Sequence, residues 1–599
     1  MRLAAFLALV VVVSGCQHVS QKSASALPGG TLTASWTMNL HAIAPYGYDP
    51  TTRTIEVNSV DIQAPPEVGA LDAASGRWRW HSGSLGGSWA TTVVEPRTSL
   101  VTWHGIGFVS EAVSYNREDT AALTAVRLSN GKALWTAPAL TGVQIVGGNL
   151  VGMNEQGVEA VNPETGALRW QWTATTDCTS PLVMPSVHAT VLLECGTTIA
   201  ALHPRNGHTA WTWRPDAGCD TQNTAADDQI VAVVMTCGST ARLVLLDPAA
   251  GTKLADRDVP WDPGDAPPDD PSRGAPQPLP AGGAVVVDGS HTATVLTSTG
   301  KVLQTAREAR CGTDPCALAD ADRIILGLHE GSDAEPEGST RVEALNLTDG
   351  HPLWQRSLSV HDLALDGGLV YATGQLPEPL WSSTMTVLNP ATGEFHQVAA
   401  LHATMQDLYV HAGTIYLTYD TPSTSDFGFS EGAFHFTGTN QGLLGGADAR
   451  QWPDACQLLT TQRLQARNPK MTYVSVASPV TINGQRLPHP PLCTFSPSDV
   501  TQPVITVSTV WSTTDRKQAA AVASEYARST QPLPGLPVTA YARDSGQDQN
   551  GNHVVDTVLV AGGCVIDIGS PGDATLSTAV APLVVDQLAN APTATLCRP

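Results

Sequence analysis

The sequence predicts a mainly β repeat protein followed by a small α+β domain. Three observations predict this fold class: many short apolar segments of strand length, a glycine-containing turn motif that recurs along the chain, and a change of pattern near residue 440. The chain has 599 residues, enough for several domains or one large repeat array. We therefore place a repeat domain over 31–440, a linker over 441–452 and an α+β domain over 453–599.

Composition excludes two classes of protein. The chain has 32 Lys and Arg against 55 Asp and Glu, a formal net charge of -23, and nucleic acid and anionic lipid surfaces repel such a chain. Its 42% hydrophobic content, with 15 Trp, also argues against global disorder. The sequence therefore predicts a folded protein that does not bind nucleic acid.

The N-terminus carries an export signal. Met1 and Arg2 precede an apolar run from Leu3 to Val13 that is too short to span a bilayer. The following Val13-Ser14-Gly15-Cys16 resembles the bacterial lipobox, which implies that 1–16 is a lipoprotein signal segment and that Cys16 is lipidated, palmitate included. An ordinary secretory signal with a chance cysteine is the alternative. We expect 17–30 to be a flexible tether and the protein to lie on the extracytoplasmic face of the cell membrane.

The cysteine count favours disulfides. Removing Cys16 leaves ten cysteines in an exported chain, and an even number there favours structural bridges. Two pairs lie symmetrically about predicted turns, and the rest follow by position. The predicted pairs are Cys178 with Cys195, Cys219 with Cys237, Cys311 with Cys316, Cys456 with Cys493, and Cys564 with Cys597.

The dominant feature is an internal repeat of eight copies. Each copy is an apolar strand end, a polar turn with a Gly, and then a Trp or another large apolar residue. The turn glycines are Gly76, Gly131, Gly166, Gly207, Gly251, Gly300, Gly350 and Gly393. The predicted docking positions are Trp80, Trp135, Trp170, Trp211 and Trp354, with Leu254, Leu303 and Phe395 in the other copies.

The turn chemistry explains the repeat. An Asp or Asn at the strand end bonds its own backbone, and Gly supplies the positive φ that reverses the chain into an antiparallel strand. A four-stranded unit of this kind cannot bury its faces alone, but a radial arrangement of eight units can. We therefore predict an eight-bladed β-propeller, with the N-terminal strand completing the last blade.

The turn and Trp pattern resembles the pyrroloquinoline-quinone-type (PQQ-like) repeat over roughly 32–436. The resemblance implies that the Trp side chains dock between neighbouring blades. The family includes the quinoprotein alcohol dehydrogenases, which hold a quinone and a calcium ion on the propeller axis beside a disulfide between adjacent cysteines. The resemblance therefore implies these features for an enzyme of this kind. This sequence has no adjacent Cys pair and no recognised hydrolase, metalloprotease or nucleotide-binding motif. We therefore predict no catalytic residue and expect no cofactor.

One segment has the composition of a metal loop. Asp548-Gln549-Asn550-Gly551-Asn552, with Asp556, alternates oxygen side chains in the manner of a calcium loop. The Gly is misplaced for an EF-hand, and no acidic residue occupies the bidentate position. A polar hairpin connection is the favoured interpretation, so no metal ligand is predicted.

The C-terminal domain shows helical and strand patterns. Asp515 to Ser529 places Ala519, Val522, Ala523 and Tyr526 on one helical face; Val554 to Ile568 is strand-like; and Ala574 to Leu588 is a second helix. The segment 454–459 resembles the disulfide-bonded modules of actinobacterial surface lipoproteins. Low Lys content beside abundant Arg and Ala agrees with an actinobacterial source.

Two functions from different classes follow. The first is a non-catalytic, lipid-anchored binding or scaffold protein whose propeller engages a protein or cell-envelope partner. The alternative is an extracytoplasmic dehydrogenase that depends on PQQ and calcium. An outer-membrane assembly role is not carried over, because an actinobacterium with a single membrane offers no substrate for it.

Overall fold

The structure is a computed structural model of the whole chain. It describes residues 31–40, 43–49, 52–59, 68–81, 101–110, 123–137, 140–154, 156–175, 178, 181–184, 190–259, 276–279, 283–287, 292–297, 299–307, 317–320, 322–330, 339–380, 383–401, 403–420, 429–437, 443–528, 532–547, 553–570, 573–590 and 595–598. The signal segment, Cys16 and the tether lie outside these residues.

Within the described residues, the chain from Thr31 to Thr437 forms nine four-stranded antiparallel sheets. Eight of them use four consecutive strands, each paired with the next. The ninth differs, because the first strand of the chain is its outermost member beside the last strand of the series. This pairing joins residues about 400 positions apart, for example Leu32 with Phe436.

Strand β1 spans Thr31–Leu40. Sheet 1 contains β2 (Ile43–Asp49), β3 (Thr54–Ser59), β4 (Val68–Asp72) and β5 (Trp78–His81). Sheet 2 contains β6 (Thr102–Trp103), β7 (Ile106–Ser110), β8 (Leu123–Arg127) and β9 (Ala133–Ala137). Sheet 3 contains β10 (Thr141–Val146), β11 (Asn149–Asn154), β12 (Gly157–Val161) and β13 (Leu168–Thr173). Sheet 4 contains β14 (Leu182–Val183), β15 (Val191–Cys195), β16 (Thr198–Leu202) and β17 (Thr209–Trp213).

Sheet 5 contains β18 (Cys219–Ala226), β19 (Val231–Cys237), β20 (Thr240–Leu246) and β21 (Lys253–Val259). Sheet 6 contains β22 (Gln277–Leu279), β23 (Gly283–Val287), β24 (Thr292–Leu296) and β25 (Val302–Arg307). Sheet 7 contains β26 (Ala317–Ala319), β27 (Arg323–Glu330), β28 (Ser339–Asn346) and β29 (Pro352–Ser357). Sheet 8 contains β30 (Asp362–Asp366), β31 (Leu369–Gln375), β32 (Ser383–Leu388) and β33 (Phe395–Leu401). Sheet 9 contains β34 (Thr404–His411), β35 (Thr414–Asp420), β36 (Phe429–Thr437) and β1.

The predicted number of eight sheets is therefore one too low. Each of the eight repeat motifs lies in the turn between the third and fourth strands of sheets 1 to 8. Sheet 9 has no such turn, because its fourth strand is β1 and comes from the other end of the repeat domain. Counting turn motifs therefore gives one sheet too few, whereas the prediction that the N-terminal strand completes the last sheet is confirmed.

The turn after β12 shows why the motif reverses the chain. The Asn162 side chain accepts the backbone N–H of Glu164 at 2.8 Å, and the Gly166 N–H donates to the Asn162 carbonyl at 2.8 Å. Gly166 has φ +69°, a conformation that L residues adopt only at a cost. The polar residue therefore starts the turn and the glycine completes it.

Neighbouring sheets bury apolar side chains between them. One such layer combines Val151 and Ala160 of sheet 3 with Val191, Leu193 and Leu202 of sheet 4, all fully buried. Burial of this kind stabilises by roughly 25 cal/mol for each Å² of apolar surface removed from water. Each sheet therefore depends on its neighbours for its core, as expected for a repeat architecture.

The C-terminal domain contains one six-stranded antiparallel sheet, one hairpin and four α-helices within the residues that the structure describes. The helices are α1 (Ala455–Leu458), α2 (Thr461–Arg467), α3 (Arg516–Ala527) and α4 (Ala574–Asn590). The strands are β37 (Tyr473–Ser478), β38 (Thr481–Ile482), β39 (Gln485–Arg486), β40 (Leu492–Pro497), β41 (Ile505–Ser512), β42 (Thr539–Gln547), β43 (His553–Ala561) and β44 (Cys564–Gly569). The order in the large sheet is β37-β40-β41-β44-β43-β42.

The helices cover opposite faces of this sheet. The apolar side of α4, with Val580, Val584 and Leu588, packs in one core with Ile566 and Ile568. The α3 residues Val522 and Ala523 belong to a second core with Val510, Val558 and Val565. Asp515 caps α3 by accepting the Lys517 N–H, which agrees with the helix expected from the sequence.

Two sequence predictions for connecting segments have different outcomes. Residues 548–552 lie outside the described residues, but Gln547 pairs with His553 across them, so this segment joins two antiparallel strands. The predicted linker over 441–452 instead contains two 3-10 helices, Leu443–Gly445 and Ala449–Gln451. Its residues Leu443, Leu444 and Trp452 are buried in a core. This segment is therefore packed structure and not a solvated spacer.

Candidate functional site

The predicted docking Trp residues lie at the junctions between successive sheets. Each indole ring covers the turn glycine of the following sheet, so closely that a Cβ at the glycine would clash with it. At Gly207, for instance, such an atom would lie 2.5 Å from Cε3 of Trp170. The same arrangement joins Trp80 to Gly131, Trp135 to Gly166, Trp211 to Gly251 and Trp354 to Gly393. The turn therefore requires a glycine for two reasons: its positive φ and the close approach of the indole ring.

Each of these indoles also donates a hydrogen bond to a carbonyl of the turn that it covers. The acceptor is the carbonyl of Leu128, Pro163, Pro204, Pro248 or Pro390, at 2.7 to 3.1 Å from the indole nitrogen. A buried Trp finds a partner for its N–H in this way. The Trp side chains are thus fully used in packing between sheets.

In the three copies without Trp, the sequence predicts another residue at the docking position, and two of these three predictions are wrong. The strand register places Ala255, not Leu254, opposite Leu245, which is the position of Trp in the other sheets. It places Gln397, not Phe395, opposite Val387. Ala255 and Gln397 both lie four positions after the turn glycine, as the five Trp residues do, so the choice by apolar character selected the wrong neighbour. Leu303 does occupy the predicted place, 2.6 Å from a Cβ at Gly350.

An arginine replaces the missing indole between sheets 5 and 6. The Arg257 Nε donates to the Gly300 carbonyl at 2.9 Å. Arg356, two residues after Trp354, makes the equivalent contact with the Gly393 carbonyl at 2.6 Å. The carbonyl of the turn glycine therefore accepts an arginine hydrogen bond at both junctions, at the one that has a Trp and at the one that lacks it.

The junction between sheets 9 and 1 uses Trp36 of β1, which the sequence did not single out as a docking residue. Trp36 pairs with buried Ala433, as Trp80 pairs with buried Ala70. Its indole donates to the Ala73 carbonyl at 2.9 Å and lies 2.4 Å from a Cβ at Gly76. β1 therefore supplies both the fourth strand of sheet 9 and its docking Trp.

The junction between sheets 8 and 9 has no turn motif to cover. There, the 3-10 helix Leu443–Gly445 contacts β33 and β1. Leu376, Leu380 and Val398 of the sheet 8 region share one core with Leu443 and Trp452. The C-terminal domain therefore packs against the repeat domain where the repeat is incomplete.

The hairpin β38-β39 extends this contact. Val480, Ile482 and Leu487 around it are buried in the same core, and the Asn483 side chain donates to Thr386 Oγ1 of β32 at 3.4 Å. Apolar burial with few hydrogen bonds is typical of a permanent interface. Within the described residues, the two domains are therefore joined by packing as well as by the chain.

The structure contains four of the five predicted disulfides among the residues that it describes. They are Cys178–Cys195, Cys219–Cys237, Cys456–Cys493 and Cys564–Cys597. The first ties Cys178, which lies before β14, to Cys195 at the end of β15, and the second joins Cys219 to Cys237 directly opposite it in sheet 5. The other two tie α1 to β40 and the C-terminal 3-10 helix Thr595–Cys597 to β44. Cys311 and Cys316 lie outside the described residues.

The C-terminal domain contains a buried cluster of ionisable side chains. The Tyr526 hydroxyl of α3 donates to Asp567 Oδ2 of β44 at 2.9 Å. The Arg543 guanidinium of β42 donates to the same hydroxyl, lies 3.3 Å from Asp567 Oδ2 and 3.7 Å from Asp556 Oδ2 of β43, and stacks on the Tyr526 ring. Four elements therefore meet at one carboxylate.

Burial changes the acidity of this cluster. Burial and the neighbouring Asp556 carboxylate raise the pKa of Asp567, whereas Arg543 and the Tyr526 hydroxyl lower it, and the net result is a pKa of about 7. Burial and the neighbouring Asp567 carboxylate also raise the pKa of the Tyr526 hydroxyl. Asp567 therefore changes its charge near neutral pH, unlike an exposed aspartate.

Sequence reasoning missed this cluster. It assigned Tyr526 only to an apolar helix face and considered Asp556 only as part of a metal loop. The signals that could have found it are a Tyr in the last turn of an amphipathic helix and Asp567 inside the otherwise apolar strand Cys564–Gly569. A charged residue at the centre of a buried strand indicates a paired or functional group.

Two further searches bear on cofactors and membranes. In the part of the chain that the structure describes, no three His, Cys, Asp or Glu residues come together to hold a metal ion. No described helix combines the length and the apolar character needed to cross a bilayer.

The class of protein is a repeat β protein built from four-stranded sheets with Trp-covered turns. The family model described as outer membrane protein assembly factor BamB, a family of PQQ-like repeats, matches residues 66–213 and 196–405. These residues are more than half of the chain, and the chain belongs to this family. No curated protein matches it.

Solved structures with some similarity include BamB from Moraxella catarrhalis, at 19% identity over 53% of this chain and 95% of that one, with a TM-score of 0.32. A quinohemoprotein alcohol dehydrogenase from Pseudomonas putida HK5 is 13% identical over 69% and 76%, with a TM-score of 0.34. A europium-containing methanol dehydrogenase is 12% identical over 67% and 93%, with a TM-score of 0.36. TM-scores this low support no conclusion about this chain.

Proposed function

We propose that the chain is a non-catalytic, lipid-anchored binding or scaffold protein on the extracytoplasmic face of the cell membrane. Its nine four-stranded sheets form a closed β-propeller, and Cys16 carries the lipid. The propeller presents its loops to a protein or cell-envelope partner, and the source is an actinobacterium. Since loops on a rigid scaffold carry most binding functions, a wide propeller face suits this role.

The observation that supports a scaffold role is the use of the five predicted Trp residues. Each covers a turn glycine and donates its indole N–H to a turn carbonyl. Aromatic rings held in this way are packing elements of the junctions between sheets. The regular junctions also make the scaffold rigid, which lowers the entropy lost on binding a partner.

Two experiments test the proposal. In the native host, the full chain and a Cys16→Ser variant are fractionated; the full chain is expected with membranes, and the variant in the soluble extracytoplasmic fraction. Gentle cross-linking of intact envelopes, followed by purification, is expected to recover one protein partner at constant stoichiometry. The control is an unrelated lipoprotein with the same signal segment. If it recovers the same partner in equal amount, the scaffold role is contradicted.

The alternative, a dehydrogenase that depends on PQQ and calcium, is tested on the same purified protein. Titration with quinone and calcium is expected to give no stoichiometric absorbance change and no reduction of an electron-accepting dye with alcohols. A one-to-one quinone signal with dye reduction would replace the binding proposal by the enzymatic one.

A further inference from the structure

The six-stranded sheet of the C-terminal domain has two edge strands, β37 and β42, and they differ in how they are protected. β42 carries the charged side chains of Arg543 and Asp544, and its pairing with β43 shifts register between Asp544 and Gln547. It also contacts α3. Charges, register shifts and covering helices are common means of keeping an edge strand from pairing with another chain. β42 is therefore a closed edge.

β37 is a regular and uncharged edge strand. Its six residues, Tyr473–Ser478, include no charged residue, no Pro and no Gly. All six pair with β40 without a register shift. In the part of the chain that the structure describes, no strand pairs with the other edge of β37. A flat edge of this kind is a template for an added strand.

The backbone of β37 directs hydrogen-bonding groups toward this edge. The Ser498 N–H donates to the Thr472 carbonyl at 2.8 Å, so these two residues form a hydrogen-bonded pair at the start of the ladder. Hydrogen-bonded pairs alternate with non-hydrogen-bonded pairs along antiparallel strands. The N–H and carbonyl groups of Ser475 and Ala477 therefore point away from β40. Both residues are exposed, which makes these groups accessible to another chain.

The side chains on one face of β37 are apolar and exposed. Val474 and Val476 are 66% and 55% exposed. They lie on the same face, because side chains alternate across a strand. The opposite face carries Tyr473, which packs against the core that includes residues of α1 and α2. Two exposed β-branched side chains on one face favour contact with side chains of the same kind on an added strand.

The segment around β37 is basic in a chain that is acidic overall. Residues 455–498 include four Arg or Lys and no Asp or Glu, whereas the whole chain has 32 Lys and Arg against 55 Asp and Glu. Three of the four, Arg467, Lys470 and Arg486, are exposed. The first two precede β37 and the third follows it. Carboxylates on a partner therefore suit this edge, whereas a second copy of the chain brings the same positive charges to it.

We propose that β37 is a strand-addition site for an extended segment of another protein, with β-branched residues along the segment and acidic residues at its ends. The segment bonds the outward backbone groups of Ser475 and Ala477, and its side chains contact Val474 and Val476. In this mode of recognition the main-chain bonds supply affinity and the side chains supply specificity. The site lies in the C-terminal domain and does not depend on the proposed role of the propeller.

Titration calorimetry on the full chain tests the proposal with the peptide Glu-Glu-Thr-Val-Thr-Val-Thr-Glu-Glu, acetylated and amidated at its ends. One control peptide carries N-methyl groups on two adjacent central residues, which blocks an N–H on each edge of the peptide. A second control peptide has Lys in place of Glu. The acidic peptide is expected to bind and the N-methylated peptide is not. The Lys peptide is expected to bind at least about fivefold more weakly at low salt.

Hydrogen exchange of the full chain, measured by mass spectrometry, locates the binding site. Saturation with the acidic peptide is expected to slow exchange at least about fivefold in fragments that cover Tyr473–Ser478, because the added strand bonds the outward N–H groups. Fragments that cover β42 are expected to be unchanged. Slower exchange at β42 instead of β37 would contradict the placement of the site.

Variants separate the backbone contribution from that of the side chains. Ser475→Pro removes an N–H on the open edge and keeps the bonds to β40, and binding is expected to weaken at least about tenfold. Val474→Thr/Val476→Thr changes two exposed side chains that stay β-branched, with an expected loss of at least about threefold, and serves alone if Ser475→Pro does not fold. Val500→Thr, at a valine that is 94% exposed and outside the strands, is the control and is expected to change nothing.

The basic residues are tested separately. Arg467→Gln/Lys470→Gln is expected to weaken binding about threefold at low salt, and Lys517→Gln on α3 is expected to leave it unchanged. No saturable binding up to about 1 mM peptide, equal binding of the N-methylated peptide, or unchanged affinity in the folded edge variants would overturn the proposal, whatever the propeller binds. A dimer of the chain that excludes the peptide and dissociates in the valine variant would assign the edge to a second copy instead.

Discussion

The repeat domain and the C-terminal domain stabilise their sheets in different ways. In the first, each four-stranded sheet is completed by a neighbour, through a Trp that covers a glycine turn, as Trp170 covers Gly207. In the second, one six-stranded sheet is covered on both faces by its own helices and tied by two disulfides. The comparison teaches that repetition places the same contact of Trp on glycine at most junctions, whereas the single sheet has room for a buried ionisable cluster.

The largest effect is expected from removing a docking Trp. Trp170→Ala loses the ring over Gly207 and the hydrogen bond to the Pro204 carbonyl, and large-to-small changes of this type cost about 3–5 kcal/mol. Chemical denaturation of the full chain, followed by Trp fluorescence and circular dichroism, measures this. Gln171→Ala, an exposed neighbour, is the control. A loss below about 1 kcal/mol would show that the junctions are not the source of stability.

Removing a disulfide is expected to cost somewhat less. The double variant Cys456→Ser/Cys493→Ser opens a bridge across 37 residues, and Cys219→Ser/Cys237→Ser opens one across 18. Loop closure entropy predicts about 2–4 kcal/mol for each, with the longer loop costing about 0.6 kcal/mol more. Thermal unfolding of both variants measures the difference. A larger loss from the shorter loop would show that local packing outweighs loop entropy.

The buried cluster predicts a pH dependence for the C-terminal domain alone. The folded pKa of Asp567 is raised to about 7 from an unfolded value near 4, so the folded state binds more protons between these two values. The free energy of unfolding therefore falls as pH rises from about 4 to 7, by at most about 1.4 kcal/mol per pH unit. The Asp567→Asn variant is expected to lose this slope. Denaturation midpoints at several pH values measure it, and an unchanged slope in the variant would contradict the assignment to Asp567.

The smallest effect is expected where an arginine replaces Trp. Arg257→Ala removes the hydrogen bond from Nε to the Gly300 carbonyl, and the position is partly exposed, so we expect a loss of about 1 kcal/mol. Leu254→Ala at a half-exposed neighbour is the control, with an expected loss below about 0.5 kcal/mol. The same denaturation experiment compares them. A greater loss from Leu254→Ala would restore Leu254 as the docking residue.

The sequence predicted the local features that depend on short segments. The turn after Val161 needs only Asn162 and Gly166, so its position follows from residues that are close together. The helix that begins at Arg516 likewise follows from its cap and apolar spacing. Such features are determined by neighbours in the chain, and they were located correctly.

Features that depend on distant segments were found only in part. The prediction that the N-terminal strand completes the last sheet is confirmed by the pairing of β1 with β36, but Trp36 becomes a docking residue only through that pairing, and no local pattern identifies it. The polar cluster combines α3 with three strands, and its Asp567 has no motif around it. The pairing of distant segments therefore determines the features that the local sequence pattern did not predict.

The central claim is that β1 closes the repeat domain by completing sheet 9 and docking Trp36 on sheet 1. Hydrogen exchange of the full chain, measured by mass spectrometry on peptides that cover Thr31–Leu40, tests this most directly. The account predicts that these amides are protected as strongly as those of β13, and that Trp36→Ala reduces protection in both β1 and β36. Exchange of the Thr31–Leu40 amides at the rate of an unstructured peptide in the wild-type chain would contradict it.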